Sequence, residues 1–321
     1  MVEITVSENQ NEDRLMKVLR KNLKNAPEPF LYKMLRKRNI TLNGKRAEGN
    51  ERVSTGDRIQ VYFSDETYQK MKGEAVAVPM KRVNSPKLRI LYEDSDVLVF
   101  VKPQGMLSQK ADPGDFSAND WVLQYAIDKG IISDSEFETF RPSVCNRLDR
   151  NTAGIMVAGL SINGLRELSE MFRDRSLKKY YYALVFGETA EKEDVKGYII
   201  KDHGSNKVQV FSEPISRDAE KIHTEYERLY YDEERNMSLL RVHLYTGKCH
   251  QIRAHLSSLG HPILGDPKYG NPDFNLFYHK NKQCLLSYKL TFPECKLAGI
   301  SGKTFELGIP RDWPIVNELR S

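Results

Sequence analysis

Four cysteines in a chain of 321 residues are too few and too scattered for a disulfide framework. Cys145, Cys249, Cys284 and Cys295 show no C-x-x-C spacing and no paired histidines that would complete a tetrahedral zinc site. Reduced thiols and no metal are expected. No apolar run approaches the roughly 20 residues of a spanning helix, so no membrane role is expected. Residues 1–14 lack the basic start, apolar middle and small-residue cleavage site of a secretory signal, and a cytoplasmic location is the expectation. A glycine-rich phosphate loop, an internal repeat and a low-complexity tract are also missing. Nor is charge strongly one-sided: 49 basic against 44 acidic residues give +5, too little by itself to argue for nucleic acid. The length fits a catalytic domain with a small accessory one.

The distribution of charge says more than its sum. Between Arg14 and Arg46 there are eleven basic residues and one acid, Glu28, a net of +10 that leaves −5 for the remainder. Within that stretch Leu15, Val18, Leu19 and Leu23 share one helical face. Phe30, Leu31, Met34 and Leu35 share a second, after the break at Pro27 and Pro29. Ile40–Leu42 is followed by Asn43-Gly44, a pair that tolerates positive φ in tight hairpins, and residues 58–63 alternate as a strand. A charge run is usually a solvated face. A run this one-sided, packed into a helix–helix–hairpin module, calls for an anionic partner such as phosphate to offset its self-repulsion.

Residues 65–87 show no sustained period and are read as a linker. From residue 88 the composition shifts, with two β-rich runs around an acidic turn up to Val101 and a stop at Lys102-Pro103. Short strands follow at 180–186, 238–245, 284–292 and 304–307, irregularly spaced among helical patches at 120–129, 162–172 and 249–259. This pattern predicts an α+β domain with a mixed, mostly antiparallel sheet over 88–321.

Three constellations carry chemistry. Asp149 lies between Arg147 and Arg150 in a loop-like stretch ahead of the apolar run 155–158, and flanking guanidinium groups favour its ionised form, which can act as a nucleophile. Taken alone, such a spacing is more often an ordinary ion pair. Lys179 is followed by three tyrosines, of which Tyr180 and Tyr182 share one strand face and Tyr181 takes the other. His250, His255 and His261 fall within twelve residues. His250 and His255 are five apart and leave a common helical face, so helix capping and hydrogen-bonded packing suit them better than metal ligation.

R-L-D-x-x-T-x-G before a short apolar run, matched by Arg147, Leu148, Asp149, Thr152 and Gly154, resembles the central signature of the RluA-type pseudouridine synthases. K-x-Y-x-A-L-V, aligned on Ala183, Leu184 and Val185, resembles a second motif of that family, and residues 244–255 with 260–270 resemble a third. Smaller matches at 91–105 and 308–313 extend the resemblance over essentially 88–313. Asn146 stands where the family often has His, Ala153 where Ser is usual, and Lys248 where Arg is usual. The basic module, over 11–64, resembles the S4 RNA-binding domain.

What the resemblance implies is a catalytic set of Asp149 as nucleophile, Arg253 as its ion-pair partner and Tyr181 as a stacking and proton-handling group. It also implies Ile252 packed beside the base, Arg147 filling the space of a flipped nucleotide, and Lys102 as a further substrate contact. Lys33, Arg36 and Lys37 are the corresponding RNA contacts of the basic module. Uridine isomerisation changes no redox state and adds no external group, so no cofactor is expected. Large-subunit (23S) ribosomal RNA is the expected substrate and a monomer the expected state. Transfer RNA is the alternative substrate, and a non-catalytic RNA-binding or ribosome assembly factor the alternative function. A two-carboxylate glycosidase would need a second acid, for which only Asp266 is at hand, in a Gly-Asp-Pro turn suited to structure.

Overall fold

The computed structural model describes residues 1–6, 10–72, 85–132, 140–202, 204 and 207–315. Chain contacts divide it into two compact units, Met1–Val83 with Ile132–Arg141, and Asn84–Ile131 with Pro142–Ser321.

In the first unit the order is β1 (Val2–Thr5), α1 (Leu15–Asn22), α2 (Glu28–Arg36), β2 (Ile40–Leu42), β3 (Lys45–Arg46), β4 (Arg58–Val61) and α3 (Asp65–Lys72). The sheet order is β1-β4-β2-β3. The apolar stripes read from the sequence form its core: Leu15, Val18, Leu19 and Leu23 pack with Leu31, Met34 and Leu35 over Ile40, Ile59 and Val61. Asn43 and Gly44, at φ 52 and 74, make the two-residue turn between β2 and β3. The expected boundaries of 11–64 are too narrow. β1 pairs along its length with β4, and α3 occupies the start of the segment read as linker. Its acidic first turn and basic last turn suit the helix dipole. Tyr68 and Met71 lean on the module's core. Residues 73–84 lie outside the described part.

The second unit continues with β5 (Arg89–Glu93), β6 (Val97–Lys102), α4 (Ala118–Asp128), β7 (Ser143–Val144), β8 (Ala153–Gly159), α5 (Ile162–Arg173) and β9 (Lys178–Phe186). Then come β10 (Lys192–Asp202), β11 (Lys207–Phe211), β12 (Glu220–Asp232), β13 (Met237–Leu244), α6 (Gln251–Ser258), α7 (Pro272–Phe277), β14 (Leu285–Thr291) and β15 (Thr304–Glu306). The eleven strands form one sheet in the order β11-β10-β12-β13-β9-β14-β8-β6-β5, with β15 on β14 and β7 on β8. β14 and β8 run parallel; the other pairs are antiparallel, as the irregular strand spacing implied. β10, β11 and β12 were not expected from the sequence, because charged residues dominate their exposed positions and the buried side chains of β12, Ile222, Thr224, Tyr226 and Asp232, mix apolar with polar.

Alternation along the strands sends side chains to two cores. On one face Leu168 and Met171 of α5 pack with Val157, Leu184 and Leu239. On the other, Trp121 and Val122 of α4 and Ile252 and Leu256 of α6 pack with Leu148, Tyr181 and Val242. The candidate site opens on this second face, near the middle of the sheet.

Candidate active site

Asp149 sits in the loop between β7 and β8, and that loop is held at many points. Asn146 spans it: its amide donates to the Ile155 carbonyl at 3.2 Å and its carbonyl accepts from the Val157 amide at 2.9 Å. Ser108 both donates to the Leu148 carbonyl (2.7 Å) and accepts from its amide (2.9 Å). The Thr152 amide donates to the Asp149 carbonyl at 3.0 Å, and Gln283 donates to the Thr152 hydroxyl at 2.6 Å. Gly154, at φ 131, has no room for a side chain, since a Cβ there would stand 2.3 Å from the Ser287 carbonyl oxygen. A carboxylate on so tethered a loop loses little further entropy when it reacts.

Lys102 belongs to this scaffold and not to the substrate surface. It is fully buried, and its ammonium donates to the carbonyls of Pro103 (3.1 Å), Met106 (2.8 Å) and Arg150 (3.2 Å). Burial pushes it down to about 7 against the opposing pull of the Asp149 charge. The expectation of a substrate contact is therefore corrected: a cation that clamps three carbonyls of the Asp149 loop and its neighbouring turn cannot also reach RNA.

Arg253 comes from the first turn of α6, 104 residues downstream, and donates from Nη1 to Asp149 at 2.7 Å. The same guanidinium grips Asp266 in a two-pronged pair, Nε at 2.7 Å and Nη2 at 2.8 Å. Side-chain exposures separate the two acids: Asp266 is at 0%, Arg253 at 5% and Asp149 at 26%. Burial works against the Asp266 carboxylate, but hydrogen bonds from Arg253 and from the Lys268 and Tyr269 amides hold it below the usual range. Burial likewise disfavours the Arg253 cation, and the two carboxylates more than reverse that. Asp266 is thus the functional residue that sequence reasoning underrated. Its signal was present in the Gly-Asp-Pro turn, but nothing in the spacing shows that the turn faces Arg253.

Tyr181, on β9, points to this face, while Tyr180 and Tyr182 lean on the opposite core. Burial pushes its hydroxyl up to about 12, and the Asp149 charge adds to the shift. The neighbouring Ser287 side chain pulls the other way, without reversing the effect of burial. The phenol is therefore protonated at neutral pH and presents a donor, not a phenolate.

Asp149, Tyr181 and Arg253 line one cavity of about 290 Å³, at the small end of ligand pockets. Asp149 is the single carboxylate in its described wall, against Arg147, Arg175, Lys179, Lys248 and Arg253. Arg147 is exposed at the rim and Ile252 is buried beneath. Lys248 pairs with Glu220. The surroundings suit an anionic backbone with one small group inserted. Of the histidines, His255 bonds the Thr224 hydroxyl and His261 the Phe186 carbonyl, as packing roles require. His250 precedes α6 but makes no side-chain cap, and it joins the cavity wall.

In the first unit Lys33, Arg36 and Lys37 are all exposed on one face of α2 and its C-terminus. On α1, by contrast, Lys17 and Lys21 pair with Asp13 and Arg20 pairs with Glu28.

Comparison with known proteins assigns the class. Residues 96–258 match the family model described as RNA pseudouridylate synthase, and the chain belongs to that family. An uncharacterized RNA pseudouridine synthase of Mycoplasma genitalium is 30% identical over 290 residues, covering 90% of this chain and 87% of that protein. Ribosomal large subunit pseudouridine synthase D of Borreliella burgdorferi is 33% identical over 273 residues, covering 82% and 78% respectively. The solved structure of human RNA pseudouridylate synthase domain containing 4 shares the fold, with a TM-score of 0.55 at 22% identity over 70% of this chain and 89% of that one. The protein is an RNA pseudouridine synthase of the RluA type, an isomerase acting on RNA.

Proposed function

We propose that this cavity receives a uridine flipped out of large-subunit (23S) ribosomal RNA and that Asp149 is the nucleophile. The reaction breaks the N1–C1′ bond, turns the base and joins C5 to C1′; the C5 proton leaves and N1 regains one. One observation carries the assignment. Arg253 spends two N–H groups on sealed Asp266 and turns a third on the one carboxylate that is partly open to the cavity. Asp149 is thereby oriented while one face stays free to attack. Ile252 packs beside the base, Tyr181 stacks on it and donates a proton or hydrogen bond, and Arg147 fills the vacated space, at a flipping cost of a few kcal/mol offset by the cationic rim.

The ribosomal substrate is supported by likeness to proteins named as large-subunit synthases. The N-terminal unit is proposed as an S4-like RNA-binding module whose contacts are Lys33, Arg36 and Lys37, and the working form as a cytoplasmic monomer. A glycosidase reading gains nothing, because Asp266 is sealed behind Arg253. The test uses total RNA from a strain lacking the protein, with pseudouridine mapped before and after treatment. Wild type should modify a site in large-subunit RNA, and Asp149→Asn should modify none while binding that RNA within a few-fold. Modification by Asp149→Asn sinks the nucleophile, and wild-type modification confined to transfer RNA sinks the substrate.

A further inference from the structure

His250 holds a backbone conformation that histidine seldom adopts, φ 53 and ψ 16, at the residue before α6. That geometry brings its ring into the cavity wall. Its Nδ1 lies 3.0 Å from the Tyr269 hydroxyl. The same hydroxyl oxygen accepts the Val208 amide at 2.8 Å, so its own hydrogen is directed to Nδ1. A histidine that accepts at Nδ1 carries its proton on Nε2. Burial and the Arg253 charge oppose a second proton, and the Asp149 charge favours one. The net shift is downward, and the ring is neutral at neutral pH with Nε2–H as its one donor.

That donor is uncommitted among the described residues, whereas the other neutral groups of the wall are engaged. Gln251 makes four hydrogen bonds, with Thr246, the Lys248 amide, the His223 carbonyl and Thr224. Asn146 is tied to β8. Tyr245 donates to Glu225 at 2.8 Å, and the buried Thr152 hydroxyl accepts from Gln283. The remaining wall donors are the Tyr181 phenol, the buried Thr152 hydroxyl and cations, and cations suit phosphate. Uracil presents two carbonyl oxygens, each an acceptor that a neutral N–H can read without drawing in a phosphate.

We propose that His250 is a substrate-contacting, specificity-determining residue whose Nε2–H donates to a carbonyl oxygen of the flipped uracil, with Tyr269 fixing the tautomer. This rests on the cavity being the uridine site. The contact adds a base-reading donor to a wall otherwise suited to charge, and an exocyclic amino group in place of the carbonyl would meet donor with donor.

The experiment uses the full-length protein and a stem–loop RNA spanning the uridine that mapping identifies. His250→Asn tolerates the left-handed backbone but is too short to reach; His250→Gln places an amide N–H near the position of Nε2. Asn should lower kcat/KM about 3- to 10-fold, the range one neutral hydrogen bond carries, and Gln should return it to within about twofold of wild type. Replacing the target by 4-thiouridine or by 2-thiouridine removes one good acceptor at a time. One of the two should slow wild type and the Gln variant by a similar factor and leave the Asn variant unaffected. Equal loss in all three enzymes, or wild-type indifference to both analogues, overturns the proposal. Should the Asn variant not fold, His250→Gly takes its place, since glycine accepts the left-handed backbone and carries no donor. Asp149→Asn serves as control: if it is active, the uridine site itself is misassigned, a failure distinct from that of His250.

Discussion

Replacing Asp266 by Asn exposes the division of labour between the two acids that share Arg253. The wild-type carboxylate, with its side chain wholly sealed, accepts two guanidinium N–H groups at 2.7 and 2.8 Å and the amides of Lys268 (2.8 Å) and Tyr269 (3.1 Å). An Asn amide group would turn N–H toward N–H on one side of that arrangement and leave a buried guanidinium without its full counter-charge. Breaking one partner of a buried pair costs about 3–5 kcal/mol. With a urea slope of roughly 2–3 kcal/mol/M, the denaturation midpoint should fall by roughly 1–2.5 M. Asp149→Asn weakens a single bond made by a side chain that is itself partly open to water, while Arg253 keeps both grips on Asp266, and should cost no more than about 1 kcal/mol. Activity should run differently: both variants lose turnover, Asp149→Asn because its nucleophile is gone, Asp266→Asn because an under-held guanidinium leaves Asp149 misaligned. Urea titrations of the three proteins, paired with pseudouridine formation, measure this. Equal midpoints for the two variants, or full activity in Asp266→Asn, would refute the reasoning.

Other expectations follow from the same geometry. Gly154→Ala should destabilise by about 3 kcal/mol, from positive φ together with the clash at the Ser287 carbonyl, and thermal denaturation reads it. Lys102→Met should lower stability by about 2–4 kcal/mol, because three carbonyls lose their donor, and should lower kcat more than it raises KM. His255, buried and pushed from 6.5 down to about 4, makes folding sensitive to acid. Its folded form binds fewer protons than the unfolded chain between those values, so stability is lost as pH falls from about 6.5 to about 4. His255→Gln should flatten that slope in stability measured against pH. Removing Lys33, Arg36 and Lys37 together should reduce the slope of log K against log salt for RNA binding by about 2–3 and leave the melting temperature unchanged; an unchanged slope counts against the module as an RNA contact.

Much was legible from local pattern. The stripes of α1 and α2 and the Asn43-Gly44 turn depend on neighbours a few residues apart, and such spacing survives into the core. The motif around Asp149 marked a loop entering a strand, and strand alternation put Tyr181 opposite Tyr180 and Tyr182. Less was legible where the outcome depended on distant partners. Lys102 reads as an ordinary cation until three carbonyls close around it. β10 and β12 escaped notice because a sheet extended by charged strands shows weak alternation in hydrophobicity. α3 was passed over because a short helix with no buried residue offers little apolar period.

The amino-acid sequence by itself determined that a basic module precedes an α+β domain in the chain, and its motifs marked an acid, an arginine and a tyrosine as candidates for the reaction. Tertiary structure decided what each of them does to the others. β8, β9 and β13 come together through β14 in a single sheet, and only that register sets Arg253 between Asp149 and Asp266 and seals one acid while leaving the other open. Burial, which separates a structural carboxylate from a reactive one, is a property of the closed sheet and its covering helices; no spacing along the chain encodes it.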